Sequence, residues 1–230
     1  MLNKNFLVMN LEIHDITKLL LITEKEVKNL IKSKEIPFVK LNDKFLFNKQ
    51  QIIEWALTKN RTLNIGGNEK LNEYNISTIS NLLSIDSFFY ECDFTETNYI
   101  DKMTEMLKID ADKEIIAALL HSREMLMCTS IGNGISLPHP RVPILLGQEK
   151  PLLNFFFTKN PLSINSIDGK PVHTFILLIS QSIKQHLSLL AHLSYLLSKE
   201  LFRFALEKRL DYYEIIDIII KTEEEKLNNK

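Results

Sequence analysis

Residues 123–141 read Arg123-Glu124-Met125-Leu126-Met127-Cys128-Thr129-Ser130-Ile131-Gly132-Asn133-Gly134-Ile135-Ser136-Leu137-Pro138-His139-Pro140-Arg141. Gly132 and Gly134 let the backbone turn tightly and bring N–H groups near an anion, while Pro138 and Pro140 stiffen the chain on either side of His139. Neutral imidazole near pH 7 is a competent nucleophile towards phosphorus. The residues alone favour a surface histidine in a proline-rich turn. Gly-Asn-Gly is a weak signal by itself, because it lacks the Lys-Ser/Thr of a P-loop. Upstream, Ile116, Leu119, Leu120 and Arg123 recur at helical spacing after Asp112. A guanidinium on that apolar stripe must find a partner or a ligand, since burying it unpaired is costly.

Working outward, the flanking segments mix strand-sized apolar runs with helical periodicity. Phe88–Phe94, Leu126–Ile131, Leu153–Thr158 and Val172–Ser180 read as strands. A helix carries Ile100, Met103 and Leu107 on one face, and others cover Ile183–Ser198, Leu201–Lys208 and Tyr213–Lys221. Mixed elements in this order predict an α/β domain, a mixed β-sheet flanked by helices. His186 precedes Leu190, Leu193 and Leu197 at helical spacing and reads as sharing the buried face, either as a core histidine or as part of a site. His192 reads as exposed. The six histidines show no His-x-x-x-His or His-x-His spacing and no nearby Cys pair, so no metal site is expected.

Residues 1–62 differ from the rest. They hold 11 Lys/Arg against 7 Asp/Glu, whereas residues 63–230 hold 17 against 22, so a net −1 chain divides into +4 and −5. Such asymmetry suggests separate partners for the two parts. Thr23-Glu24-Lys25-Glu26 matches a capping box, and Val27, Leu30 and Ile31 continue it as a helix to about Ser33. Ile16, Leu19 and Leu20 mark a short helix just before it, and the pair forms a helix-turn-helix. Phe38–Leu41 and Lys44–Phe47 flank Asn42-Asp43 as a hairpin, and Ile52, Ile53, Trp55 and Ala56 mark a third helix. Residues 63–76, with Gly66-Gly67 among Asn and Glu, are expected to link this head to a body at 77–230. Cys92 and Cys128 read as free thiols, and the most apolar runs fall short of the ~18 residues a membrane span needs. No leader segment is evident, and a cytoplasmic chain without membrane insertion is expected.

The Arg123–His139 stretch resembles the signature of enzyme IIA domains of type 2, the fructose/mannitol/nitrogen-regulatory class of the bacterial phosphotransferase system. That signature runs Arg-Glu, three residues, then Ser-Thr-Gly-Ile-Gly-Asn-Gly-Ile-Ala-Ile-Pro-His. Two further blocks are similar, Asp168–Val172 (Asp-Gly-Lys-Pro-Val before a strand) and His186–Ala191 (His-Leu-x-x-Leu-Ala). The resemblance covers about residues 77–230 and implies the enzyme IIA type 2 fold. It implies that His139 accepts a phosphoryl group from a histidine phosphocarrier protein and hands it to an enzyme IIB-like acceptor or a regulated protein. By the same carry-over, His186 hydrogen-bonds the phosphoryl group or orients His139, Arg123 and Thr129 contact phosphate oxygens, and Gly132, Asn133 and Gly134 form a phosphate loop. No cofactor is called for. Cys128 replaces the family's Ser and Ser130 its Gly, which leaves those site residues in place.

The head resembles excisionase-type, MerR-like winged helix-turn-helix modules in Leu19–Thr23, Lys34-Glu35-Ile36-Pro37, Phe45-Leu46-Phe47 and Glu54-Trp55. The resemblance implies the second helix in a DNA major groove, with Lys25, Lys28, Lys32, Lys40 and Lys44 on phosphates. Leu21 and Lys34 replace glycines, Lys28 a Tyr and Leu46 an Arg. Glu24 and Glu26 open the second helix, and no Arg in it offers the bidentate guanine contact. Double-stranded DNA bound by a homodimer and a protein-docking role are both compatible with these residues. The whole chain is therefore expected to be a phosphorylation-dependent regulator, with a plain phosphoryl carrier or an unphosphorylated binding domain as the other readings.

Overall fold

The computed structural model describes residues 11–41, 44–65, 78–146 and 150–228. Asn42-Asp43, residues 1–10 of the head and residues 66–76 of the expected linker lie outside them.

The head elements follow their local signals. α1 (Ile13–Leu20) buries Ile16, Leu19 and Leu20, and Leu21 closes it in the left-handed region at φ 53°. α2 (Glu24–Lys32) begins at Thr23, whose hydroxyl accepts from the Glu26 N–H at 3.2 Å while the Glu26 carboxylate accepts from the Thr23 N–H at 2.7 Å. β1 (Val39–Leu41) and β2 (Lys44–Leu46) pair antiparallel, and α3 (Lys49–Thr58) follows with Asn48 as its cap. Leu63 and Asn64 correct the expected linker. They form β3 (Leu63–Asn64), parallel to β7 (Ile144–Leu145), because the fully buried Leu63 side chain anchors the segment and its N–H donates to the Pro143 carbonyl.

In the body, β4 (Phe88–Cys92) is followed by α4 (Tyr99–Met106) and α5 (Lys113–Leu126), the latter capped by Asp112, whose carboxylate accepts from the Ile115 N–H at 3.1 Å. Then come β5 (Ser130–Gly132), β6 (Ile135–Ser136), β7, β8 (Leu152–Leu162) and β9 (Val172–Ile179). α6 (Ile183–Ser198), α7 (Glu200–Glu207) and α8 (Tyr212–Asn228) complete the chain. Two expected strands are shorter. The first stops at Cys92, after Glu91 turns to φ 52°. The second begins only at Ser130, since α5 keeps its hydrogen bonding through Leu126 and residues 127–129 form the connection to β5.

Among the described residues, five strands make the main sheet in the order β4-β8-β9-β6-β5. Alternation along the central strands divides the core. Phe155, Phe157, Ile176 and Leu178 face α6–α8, whereas Phe156, Phe175, Leu177 and Ile179 face α4, α5 and the head. The period of two in the strands is what produces two apolar layers from one sheet. The head is not a separate bead. Its Ile16, Val27, Ile52 and Leu63 join Ile116, Leu119, Val142, Ile144 and Ile179 in one buried cluster. Lys49 of α3 adds an ion pair to Asp112 at 2.5 Å. No described helix is long and apolar enough to cross a membrane.

Candidate functional site

β6 runs parallel to β9, and the extended chain continues past it, with the Pro138 carbonyl accepting from the Leu178 N–H at 3.0 Å. His139 therefore emerges at the carboxyl end of β9, where the sheet meets the first turns of α6. This is where open α/β sheets commonly carry their sites.

The imidazole of His139 is half-buried, and its Nδ1 lies 2.7 Å from the Leu137 carbonyl. A carbonyl only accepts, so Nδ1 holds the proton and Nε2 carries the lone pair. His186, on the first turns of α6, brings its ring centroid to 5.1 Å from that of His139, tilted by 42°. Arg123 reaches over from the end of α5, donating from Nη1 to the Met127 carbonyl at 2.8 Å. The electrostatics keep both rings neutral. Burial pushes His139 below the ordinary histidine range, the Leu137 hydrogen bond opposes this, and the Arg123 charge adds to the lowering. His186 is lowered to about 4 by burial, then by His139 and Arg123. Neutral rings facing a fixed cation are suited to nucleophilic attack on an anionic phosphorus centre.

Thr129 lies behind this group and is 5% exposed. Its Oγ1 donates to Glu124 Oε2 at 2.7 Å and sits 3.0 Å from Ser136 Oγ, while its N–H donates to the same carboxylate. In this structure the Thr129 hydroxyl gives its proton to Glu124. Glu124 is the residue that sequence reasoning missed. It stands next to Arg123 in the signature, yet only the α5–β5 connection reveals that its carboxylate takes both the N–H and the hydroxyl of Thr129.

Gly132, Asn133 and Gly134 are not brought to His139. All three have positive φ (87°, 53° and 71°) and form the hairpin turn at the opposite end of β6, roughly 15 Å of extended chain from His139. There the Asn133 N–H donates to Asp168 Oδ2 at 2.8 Å, and Gly134 lies against His173. There the glycines serve a tight turn and close packing. His186 also departs from expectation, because Gln185, Leu189 and Leu193 form the buried face of α6 and leave it beside that face. His192 is half-buried rather than exposed.

The lysines of the head, Lys25, Lys28, Lys32, Lys40 and Lys44, are all exposed. Lys28 pairs with Glu24 at 3.0 Å and Lys44 with Glu12 at 3.1 Å. Carboxylates thus already pair with Lys28 and Lys44.

The family model described as "Phosphoenolpyruvate-dependent sugar phosphotransferase system, EIIA 2" matches residues 93–222, 130 of the chain's 230 residues. The chain is 31% identical over 128 residues to the PTS system fructose-specific EIIABC component of Bacillus subtilis, covering 53% of this chain and 20% of that protein. It is 33% identical over 90 residues to the nitrogen regulatory protein of Pseudomonas aeruginosa, covering 38% of this chain and 56% of that one. It thus spans between a fifth and a little over half the length of these curated relatives. Among solved structures, the nitrogen regulatory protein IIA-Ntr of Neisseria meningitidis aligns with a TM-score of 0.52 at 21% identity, over 61% of this chain and 98% of that one, a likeness of fold.

Proposed function

The chain belongs to the EIIA 2 family of the phosphoenolpyruvate-dependent sugar phosphotransferase system, and on that premise we propose that His139 is a phosphoryl acceptor and carrier acting through Nε2. The observation that carries this reading is the 2.7 Å contact of Nδ1 with the Leu137 carbonyl, which fixes the tautomer and leaves the lone pair on Nε2 of a ring that lies beside His186. In the transfer, Nε2 attacks the phosphorus of a phosphohistidine on a histidine phosphocarrier protein. The new N–P bond forms as the donor's N–P bond breaks, and the electron pair of that bond leaves with the donor imidazole. Nδ1 keeps its proton on Leu137 throughout. Arg123 and His186 contact the phosphoryl oxygens, and Thr129 supports them from behind.

The rim favours a protein as the partner. Met125, Leu126 and Met127 are 87%, 65% and 72% exposed at the end of α5, and Ile183 and Leu187 are 63% and 61% exposed beside His186. Apolar side chains grouped around a polar centre suit a transient protein interface better than solvent. An enzyme IIB-like acceptor or a regulated protein would use the same face on the outward leg. Incubation with enzyme I, a phosphocarrier protein and labelled phosphoenolpyruvate tests the reading. An acid-labile adduct that His139→Ala abolishes supports it; no adduct, or one that persists in the variant, overturns it.

A second reading, transcriptional regulation through a winged helix-turn-helix head (residues 1–62) on a phosphoacceptor body (77–230), is favoured by one observation. The chain leaving His139 becomes β7 within five residues and pairs with β3 of the head side. A phosphoryl group adds about −1.5 to −2 charge at the start of that segment. DNA binding by a homodimer would show an affinity falling steeply with salt and changing on phosphorylation. Binding that stays flat across the DNA tested leaves the plain carrier.

A further inference from the structure

We propose that Gln185 is a positioning residue for the phosphoryl site: its side-chain amide, bonded to the Gln181 N–H, sets His186 in register with His139. The inference rests on His139 being the phosphoacceptor.

The two imidazoles belong to different segments, so one must be fixed against the other. His139 is tied to the end of β9 on both sides. Before it, the Leu178 N–H donates to the Pro138 carbonyl at 3.0 Å; beyond it, the Ile144 N–H donates to the Ser180 carbonyl at 2.9 Å. His186 is carried instead by α6, which leaves β9 through residues 180–182. A short connection at the end of an element is where a helix's first turn can rotate against the strand before it.

Gln185 closes that connection. Ser182 caps α6, its hydroxyl accepting from the Gln185 N–H at 3.2 Å. The spacing Ser182-Ile183-Lys184-Gln185 is that of a capping box, in which the last side chain returns to the N–H of the first residue. Here Oε1 of Gln185 takes the N–H one residue further back, that of Gln181, at 2.9 Å. The first turn of α6 is thereby locked to the chain next to Ser180, whose carbonyl holds the segment leaving His139. A continuous path joins the rings: the Pro138 carbonyl, the Leu178 N–H, the end of β9, Gln181, the Gln185 amide and His186. Gln181 and Gln185 are both buried. Breaking their bond would leave a donor unpaired away from water, so the link resists rotation of α6. It keeps the ring centroids 5.1 Å apart, which leaves a phosphoryl group on His139 within reach of His186.

The test measures single-turnover transfer from a phosphorylated histidine phosphocarrier protein to the full chain at varied donor concentration, together with the nuclear Overhauser contact between the ring protons of His139 and His186. Gln185→Met keeps the length and burial of the side chain and removes the acceptor. Its saturating rate is expected to fall about tenfold, as a misplaced site group requires, with the half-saturating donor concentration unchanged and the ring contact weakened. A folded Gln185→Met protein with wild-type rate and ring contact overturns the proposal. So does a loss of rate with the ring contact intact, or a change in the half-saturating concentration alone. Gln185→Asn covers the case in which that variant does not fold. Its shorter side chain stops short of the Gln181 N–H, and the same two losses are expected; wild-type values overturn the proposal. Wild-type protein that takes no label on His139 instead removes the carrier reading and this inference with it.

Discussion

At the residue scale the site depends on two histidines kept neutral against water. His186 titrates at about 4 when folded and near 6.5 when free, and His139 is lowered in the same sense. A depressed histidine binds its proton more readily unfolded than folded. Its contribution to stability is therefore complete above pH 6.5 and is lost as pH falls towards 4. Urea midpoints at pH 7.5 and pH 5 should show that loss, and His186→Ala should reduce it; an unchanged difference between the two pH values contradicts the assignment. The same substitution should leave the fold intact and slow phosphoryl transfer by roughly 100-fold, as removal of a preorganised donor does. Unfolding instead would make His186 a core residue. His139 was legible as a loop histidine from its flanking prolines, Pro138 and Pro140. Glu124 was not, since a carboxylate's acceptors and donors are chosen by the turn between α5 and β5, which only the folded connection defines.

Elements were legible where a cap marked their start. Thr23 with Glu26, and Asp112 with Ile115, begin α2 and α5 as the side-chain chemistry requires. The expected strand Leu126–Ile131 began too early, because Leu126 ends a helix and Leu126 and Met127 face outwards, so their hydrophobicity did not mark burial. The Gly-Asn-Gly turn taught a similar lesson. Its glycines are demanded by conformation and contact, not by a ligand. A Cβ on Gly134 would stand 2.3 Å from His173 Cδ2 at a φ of 71°. Gly134→Ala should destabilise the protein by about 2–4 kcal/mol through strain and overpacking. Thermal denaturation will show this, while single-turnover phosphoryl transfer below the melting range should stay near wild type. A selective loss of transfer without loss of stability would return the turn to the site.

For the whole molecule, the charge split divides a basic head from an acidic body and suggested two beads on a linker. The packing joins them, since Leu63 and Ile144 are both fully buried in one cluster that also holds Ile16 and Ile179. The chain's single tryptophan, Trp55, sits in the head and far-UV dichroism is dominated by the body, so the two signals report separately. Their denaturation curves should coincide. Ile144→Ala should lower both midpoints together, through a destabilisation of about 2–5 kcal/mol. Separate transitions would make the head independent. That union also means the phosphoacceptor, a few residues from Ile144, sits against the seam between the parts. The most direct measurement of what this molecule does is histidine-selective NMR of the protein after phosphorylation by enzyme I and a phosphocarrier protein. A phosphoryl group on Nε2 of His139 is the expected result; a group on Nδ1, on another histidine, or on none contradicts it.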